Sequence, residues 1–229
     1  MTILIQGAMD SEIDVLLSFF KIEKVKTVAE YVFHIAHYKK NKIVISKTGV
    51  GLINASVATT VAVNEFHPTL VINQGCAGGH LPNVNVGDVI IGEKSVYINN
   101  FATDAKGLGE GSDSLCWRPT KRSYSVPSTE KYLRIADNMS FDGRKTVGIL
   151  GAGDMFSKEV DRIRYLHSLF GQLCEDMESV AALKVCEMFN IDRIAFRIIS
   201  NNELTNETPN WAVCKKLQEL VISFVDKIV

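Results

Sequence analysis

The chain has 229 residues, of which 46% are hydrophobic and 22% are charged. This length and composition suffice to bury one full core, so we expect a single domain over residues 1–229. The formal net charge is -1 and basic clusters such as Lys39-Lys40 are short, which argues against nucleic acid as a partner and favours a small ligand. No stretch approaches the roughly 20 apolar residues that cross a bilayer, and no signal peptide is recognisable, so we expect a cytoplasmic protein without a membrane partner.

The N-terminal half predicts strands and helices in alternation. Apolar periodicity indicates a strand over 2–5, an amphipathic helix over 11–20, paired strands over 32–38 and 42–47, a helix from Ile53 to His67, and a strand over 70–73. That last strand leads into Gly75-Cys76-Ala77-Gly78-Gly79, where we expect the strand to break into a bend that lets the backbone approach a ligand.

The C-terminal half continues the alternation after a long polar stretch. Residues 85–91 indicate a turn into a strand, and residues 99–128 are predicted to form a long loop or lid. Further strands are predicted over 145–150, 171–175 and 193–199, with helices over 157–170, 179–190 and 211–229. Near-continuous apolar strands are typical of a sheet covered on both faces. We therefore expect an α/β protein, a three-layer α/β/α sandwich around a central twisted mixed sheet.

The five cysteines and five histidines form no recognised ligand spacing. The cysteines are odd in number and contain no CxxC pair, so we expect reduced and mostly buried thiols. The histidines show no HExxH pattern, so neither a metal site nor a cofactor is expected, and His80 is predicted at the surface.

Glu12 and Glu178 each follow a short strand-like run and open a helix-like one. This is where α/β proteins place working side chains, which indicates one cleft containing both carboxylates. The alternative reading of Glu12 is an acid favoured by the helix dipole. Glu175 and Asp176, next to Glu178, are predicted to be solvated groups at a strand end, although Asp176 could assist through a water molecule.

A family resemblance rests on seven segments in register. They are Gly7-Ala8-Met9 with Glu12, Thr48-Gly49-Val50-Gly51, Asn73 to Gly79, Val86-Gly87-Asp88, Gly153-Asp154-Met155-Phe156, Asp176-Met177-Glu178 and Arg197-Ile198-Ile199-Ser200. Their order resembles that of the 5′-methylthioadenosine/S-adenosylhomocysteine nucleosidases of the nucleoside phosphorylase superfamily. The resemblance is weak between Tyr97 and Lys145 and thin after Asn202.

The chemistry of such enzymes can be stated independently of the family. Cleaving a ribosyl C1′–N9 bond builds positive charge on the sugar and negative charge on the purine, which favours carboxylates near the sugar and a proton donor near N7. The resemblance implies that Glu12 activates water and that Glu178 binds the ribose hydroxyls. It also implies that Met9 and Met177 pack near the sugar and that Phe156 stacks on the base. The other substrate-binding residues implied are Val50, Cys76, Ala77, Gly78, Asp176 and Ser200.

Water rather than phosphate is the expected nucleophile. Phosphorylases of this superfamily hold phosphate with arginines and a glycine-rich first loop, whereas this first loop runs from Ala8 to Glu12 and no arginine precedes Gly75. The resemblance further implies a homodimer whose active site lies near the interface.

Asn201 departs from the family pattern, which places a proton-donating aspartate after the Arg-x-x-Ser strand. An amide cannot deliver a proton, but it can donate to N7 or to the O6 of a 6-oxopurine, and futalosine hydrolases show a similar Ser-Asn step. Three interpretations stay open. The chain is an adenine-type nucleosidase whose acid is Glu203 or a water, a 6-oxopurine nucleosidase, or a nucleoside-binding protein with little catalysis.

Overall fold

The computed structural model describes residues 1–111, 113, 116–120 and 124–229. Within these residues the strands are β1 (Thr2–Gly7), β2 (Ile22–Val28), β3 (Tyr31–Tyr38), β4 (Asn41–Lys47), β5 (Leu70–Gly79), β6 (Val89–Tyr97), β7 (Phe101–Ala102), β8 (Arg118–Pro119), β9 (Ser125–Pro127), β10 (Lys145–Ala152), β11 (Gln172–Asp176) and β12 (Asp192–Asn202). The α-helices are α1 (Asp14–Phe19), α2 (Leu52–Phe66), α3 (Glu130–Asp137), α4 (Val160–Phe170), α5 (Ser179–Met188) and α6 (Cys214–Ile228). Across the described ranges, none of these helices is both long enough and apolar enough to cross a membrane.

Most strands belong to one mixed sheet, in the order β11-β10-β6-β12-β5-β1-β4-β3-β2, with β9 beside β6. The neighbours of β1 and the β5–β12 pair are parallel, whereas β12 and β6 run antiparallel. Strand β11 also pairs with β5, antiparallel through Gly78 and Gly79, so the sheet closes on itself at this end. The prediction of a central mixed sheet is confirmed.

Both faces of the sheet are buried, as the apolar strands predict. In β1, Ile3 and Ile5 join one hydrophobic cluster with α1, α3 and α6, and Leu4 joins another with α2 and α5. Successive side chains of a strand point to opposite faces, so this alternation places one group of helices on each side. The chain is therefore an α/β/α sandwich.

Several elements differ from the sequence-based expectation. Strand β2 and helix α3 were not anticipated, and the segment over 99–128 contains β7, β8 and β9 rather than loop alone. Strand β9 pairs with β6, which ties the end of this segment to the sheet. Part of the lid prediction falls on Ser112, Ser114, Leu115, Lys121, Arg122 and Ser123, which lie outside the described residues.

The predicted break at Gly75 is wrong, because β5 continues to Gly79. Its pairing partners explain the extension. Strand β12 stays paired in parallel with β5 as far as Gly79, past a register shift between Ile199 and Asn201. Strand β11 pairs antiparallel with Gly78 and Gly79 from the other side. The glycine-rich end of β5 therefore lies between two paired strands.

The expectation that all cysteines are reduced is also wrong. Cys76 in β5 is bonded to Cys214 at the start of α6, and the two Cα atoms lie 6.3 Å apart. Cys174 and Cys186 are buried thiols, and Cys116 is an exposed thiol. Spacing in the sequence could not indicate this pair, because 138 positions separate its members and only the packing of α6 on β5 joins them.

Candidate active site

A pocket opens at the carboxyl ends of β1, β5, β11 and β12, with about 610 Å³ of empty space that extends into its open mouth. The sequence-predicted residues all line it: Met9, Glu12, Val50, Cys76, Ala77, Gly78, Phe156, Asp176, Met177, Glu178, Ser200 and Asn201. Ala8, Met155, Ser157, Glu175, Glu203 and Trp211 line it as well. Strand ends that meet at one edge of a sheet form the usual ligand crevice of α/β proteins, which explains how distant segments share one wall.

Glu12 is fixed in the pocket floor by backbone donors. A short 3-10 helix over Asp10–Glu12 turns the chain back after β1, and the side chain is only 3% exposed. Its Oε2 accepts hydrogen bonds from the N–H groups of Ala8 at 2.6 Å and Met9 at 3.1 Å, and its Oε1 accepts from Cys76 at 2.8 Å. Burial raises the pKa of Glu12, and these N–H groups together with Arg197 oppose the rise. The result is a carboxylate of enhanced basicity in one fixed position.

Two glycines make room for that carboxylate. A Cβ atom at Gly75 would lie 2.6 Å from Glu12 Oε1, and a Cβ atom at Gly7 would lie 2.8 Å from the Glu12 Cβ. Both separations are too short for real atoms, so glycine is required here by close approach of the neighbouring side chain.

Glu178 stands directly before α5 and faces the N-terminus of α2. Its Oε1 accepts a hydrogen bond from Gly51 N–H at 2.9 Å, and Asp154 accepts from the next amide, that of Leu52, at 2.7 Å. Burial, followed by the nearby charge of Asp176, raises the pKa of Glu178 to about 7, against the lowering effect of Arg197. The carboxylate therefore titrates close to neutral pH.

Asp176 is buried, so its predicted solvation at a strand end is wrong. Its Oδ1 accepts from the N–H groups of Glu178 at 2.8 Å and Ser179 at 2.7 Å, and its Oδ2 lies 3.2 Å from Nε of the buried Arg197. Asp176 thereby fixes the backbone that carries Glu178. The Arg197 guanidinium offsets the negative charge gathered around the pocket, since its charge interacts with Asp176, Glu178 and Glu12.

Glu175 and His80 are buried too, against expectation. His80 is 1% exposed, its Nε2 lies 3.1 Å from Glu175 Oε2, and Ser157 Oγ donates to Glu175 Oε1 at 3.2 Å. A paired carboxylate and imidazole tolerate burial far better than either alone. The sequence offers no signal for this pair, because β5 brings His80 to Glu175 only through the antiparallel β5–β11 contact.

The opposite wall contains Ser200, Asn201 and Glu203. Ser200 Oγ donates to Asn201 Oδ1 at 2.8 Å, and Asn201 Nδ2 donates to Glu203 Oε1 at 2.7 Å. All three side chains are buried. The order of donors and acceptors fixes the amide of Asn201 with its nitrogen toward Glu203.

The mouth of the pocket is apolar and partly open to solvent. Val50, Phe156 and Trp211 are each about half exposed, at 47%, 52% and 45%. Exposed aromatic rings beside a polar floor can stack on a planar ligand such as a base.

Cys76 contributes its sulfur to the disulfide bond at the pocket wall. Ligand atoms of Glu12, Cys76 and Cys214 lie within 4.8 Å of one another, a spacing that could suit a metal ion, but the bond commits both sulfur atoms to each other.

Comparisons with known proteins agree with this geometry. The family profile described as "Phosphorylase superfamily" matches residues 2–228. A 5′-methylthioadenosine/S-adenosylhomocysteine nucleosidase of Marinomonas sp. (strain MWYL1) is 30% identical over 197 residues, covering 85% of this chain and 83% of the relative.

Two solved structures have the same fold. The S. pneumoniae 5′-methylthioadenosine/S-adenosylhomocysteine nucleosidase with a transition-state inhibitor superposes with a TM-score of 0.83 at 21% identity, covering 100% of both chains. The native futalosine hydrolase of Helicobacter pylori gives a TM-score of 0.82 at 21% identity, covering 99% of this chain and 97% of the other. From its sequence match and the residues gathered at the pocket, the chain belongs to the 5′-methylthioadenosine/S-adenosylhomocysteine nucleosidase family of the phosphorylase superfamily.

Proposed function

We propose that the chain is a purine nucleosidase that hydrolyses the N-glycosidic bond of a 5′-substituted adenosine such as methylthioadenosine or S-adenosylhomocysteine. The observation that carries the proposal is the pairing of two buried carboxylates of raised pKa, Glu12 and Glu178, in one pocket. Glu12 activates the attacking water, and Glu178 accepts hydrogen bonds from the ribose hydroxyls as positive charge develops on the sugar. The 30% identical relative carries the same activity in its name.

Water is the proposed nucleophile because of the charges around the pocket. Among the described residues that line the pocket there is no lysine or arginine. The lining does include five acidic residues: Glu12, Glu175, Asp176, Glu178 and Glu203. A phosphate anion would meet negative charge without a compensating donor, and Arg197 is already engaged with Asp176 and Asn73.

Base recognition leaves a second candidate, a 6-oxopurine nucleosidase of the futalosine or inosine type. The observation that favours it is Asn201, a buried amide that stands where an acid is expected and that can donate to O6. If the amide selects 6-oxopurines, Asn201→Asp lowers hydrolysis of the hypoxanthine nucleoside and raises hydrolysis of the adenine nucleoside, so the ratio of the two rates inverts.

The experiment that tests the function is a product assay against methylthioadenosine, S-adenosylhomocysteine, inosine and futalosine, with and without millimolar phosphate. Free base and free sugar at a rate independent of phosphate are expected. A ribose 1-phosphate product would assign the chain to the phosphorylases. Binding without cleavage of any of the four would assign it to nucleoside-binding proteins.

We also propose that two copies of the chain form a homodimer beside the pocket. Val50 at the pocket mouth and Ile53 and Val57 on the first turns of α2 are exposed apolar side chains, with Ile53 75% exposed. A cluster of this kind beside a ligand site is typical of an interface. Ile53→Asp should shift the mass measured by light scattering from dimer to monomer, and a wild-type monomer would refute the proposal.

A further inference from the structure

Glu203 presents an unpaired oxygen at the pocket wall that also contains Ser200 and Asn201. It opens a 3-10 helix directly after β12 and is 3% exposed. Its Oε1 accepts from Asn201, but its Oε2 is buried and has no hydrogen-bond partner within the described residues. A buried polar atom without a partner is costly, so Oε2 is suited either to carry a proton or to meet a ligand. Since Glu203 lines the pocket, that ligand would be the substrate.

The position of this carboxyl group is fixed from two sides. A Cβ atom at Gly78 would lie 2.4 Å from Glu203 Oε1, so the bare backbone of β5 makes room for it. On the other side, the Asn201 amide is held by Ser200 and donates to the same oxygen. Asn201 therefore leaves Oε2 as the free end of the carboxyl group.

The surroundings favour the protonated form of Glu203 more than solvent does. Burial is the largest influence and raises the pKa of Glu203, and the Glu175 charge raises it further. The Asn201 hydrogen bond, Lys158 and His80 oppose the rise without cancelling it. The carboxyl group therefore holds its proton to a higher pH than an ordinary glutamate does.

We propose, on the basis of the hydrolase function above, that Glu203 is the catalytic acid that protonates N7 of a departing 6-aminopurine, and that Asn201 is its positioning residue. The C1′–N9 bond breaks with its electron pair passing to the purine, and the Oε2 proton moves to N7, which leaves Glu203 as a carboxylate. Water forms the new C1′–O bond and gives its proton to Glu12. Exchange with solvent then returns a proton to Glu203 and removes one from Glu12, so the net reaction consumes one water.

The hydrogen-bonding pattern of a carboxylic acid matches one class of base. Protonated Glu203 offers one O–H donor and one carbonyl acceptor. The edge of adenine offers an N7 acceptor and a 6-amino donor, whereas the same edge of a 6-oxopurine offers two acceptors. When Oε2 donates to N7, the acceptor that faces the 6-position is the second lone pair of Oε1, beside the one that accepts from Asn201. Glu203 therefore selects adenine nucleosides, because Oε1 would face O6 of a 6-oxopurine without a proton between them.

Glu203→Gln tests the assignment with two substrates that share a sugar and differ in leaving group. Cleavage of methylthioadenosine should fall by about 10²- to 10⁴-fold, the usual value of general acid catalysis. Cleavage of the 4-nitrophenyl glycoside of 5-methylthioribose should be unchanged, because nitrophenolate departs without a proton. The matched control, Glu12→Gln, should lose both activities, because both reactions need an activated water.

Gly78→Ala gives a second variant that leaves Glu203 in the sequence but displaces its carboxyl group, and it should reproduce the selective loss. The wild-type rate on methylthioadenosine should also fall as rising pH ionises Glu203, and Asn201→Ala should move that fall to higher pH by removing a hydrogen bond that lowers the pKa.

Several outcomes would overturn the assignment. Equal losses on both substrates in Glu203→Gln would indicate a structural role, and an unchanged rate on methylthioadenosine would exclude Glu203 as the acid. Wild-type preference for the hypoxanthine nucleoside would reject the adenine selectivity while leaving the hydrolase function intact. If the wild type cleaves neither methylthioadenosine nor the nitrophenyl glycoside, the hydrolase function fails together with the role of Glu203.

Discussion

Glu178 combines a ligand-facing carboxylate with a pKa of about 7, so small changes of pH alter its charge. In the proposed function the ionised form accepts hydrogen bonds from ribose hydroxyls, and the protonated form offers one acceptor fewer. Nucleoside affinity should therefore be highest above about pH 7 and should weaken as the pH falls through that value.

This pH dependence is measurable by calorimetry in the Glu12→Gln variant, which retains the shape of the site but loses the base, so that substrate binds without turnover. The midpoint in this variant should lie below the wild-type value, because the Glu12 charge is one of the influences that raise the pKa of Glu178. Adding Glu178→Gln should weaken binding and flatten the pH dependence. A pH dependence that persists in the double variant would assign it to another group.

At the scale of a single residue, the sequence could predict which side chains reach the pocket but not their protonation chemistry. Glu12 and Glu178 are predicted from the strand ends that carry them, and Asn201 from the family resemblance, and each lines the pocket. The raised pKa values of Glu12, Glu178 and Glu203 follow from burial by segments far away in the sequence. The pattern of apolar and polar residues along the chain does not predict this burial.

Strand β5 is the element that positions both proposed proton-transfer groups. Gly75 approaches Glu12, and Gly78 approaches Glu203 three residues later. Gly75→Ala should displace the Glu12 carboxylate and lower the hydrolysis of both methylthioadenosine and the nitrophenyl glycoside. The loss should be about 10²-fold or more, as expected when a general base is lost.

Gly78→Ala is the comparison in the same strand, since the added methyl group is identical but displaces the carboxyl group of Glu203 and lies in the pocket lining. The two variants should have similar thermal midpoints and different substrate profiles. Indistinguishable profiles would contradict the division of roles between the two ends of β5.

The elements that the sequence predicts well are those buried on two faces. Strands β1, β4, β10 and β12 are near-continuous apolar runs, and each was predicted within a few residues of its bounds. Strand β2 was missed because it lies at the sheet edge with mostly polar, exposed residues, so hydrogen bonds to β3 rather than a hydrophobic pattern define it. The extension of β5 to Gly79 depends on β11 arriving from the other side of the fold, which no local sequence pattern encodes.

For the whole molecule, the Cys76–Cys214 bond joins the sheet to the C-terminal helix. Closing a loop of this length restricts the unfolded chain, and such bonds typically contribute about 2–4 kcal/mol to the free energy of unfolding. Cys214→Ala should lower the stability measured by urea unfolding without reductant by that amount plus the packing loss of one buried sulfur.

Cys186→Ala supplies the packing loss alone, because Cys186 is equally buried and unbonded. Excess reductant should destabilise the wild type and the Cys186 variant but leave Cys214→Ala unchanged. Equal sensitivity of all three proteins to reductant would show that the bond contributes nothing to folding.

The first turn of α2 receives its hydrogen-bond acceptors from other parts of the chain. Gly51 offers no side chain to cap the helix. Instead, Glu178 accepts a hydrogen bond from the amide of Gly51, and Asp154 accepts one from the amide of Leu52. An amide hydrogen exchanges with solvent only when its acceptor releases it. The exchange rate of the Gly51 amide, corrected for its intrinsic pH dependence, therefore reports the charge of Glu178. In the proposed function the rate also changes when a sugar hydroxyl binds to the Glu178 carboxylate, so one backbone hydrogen gives a spectroscopic measure of the site.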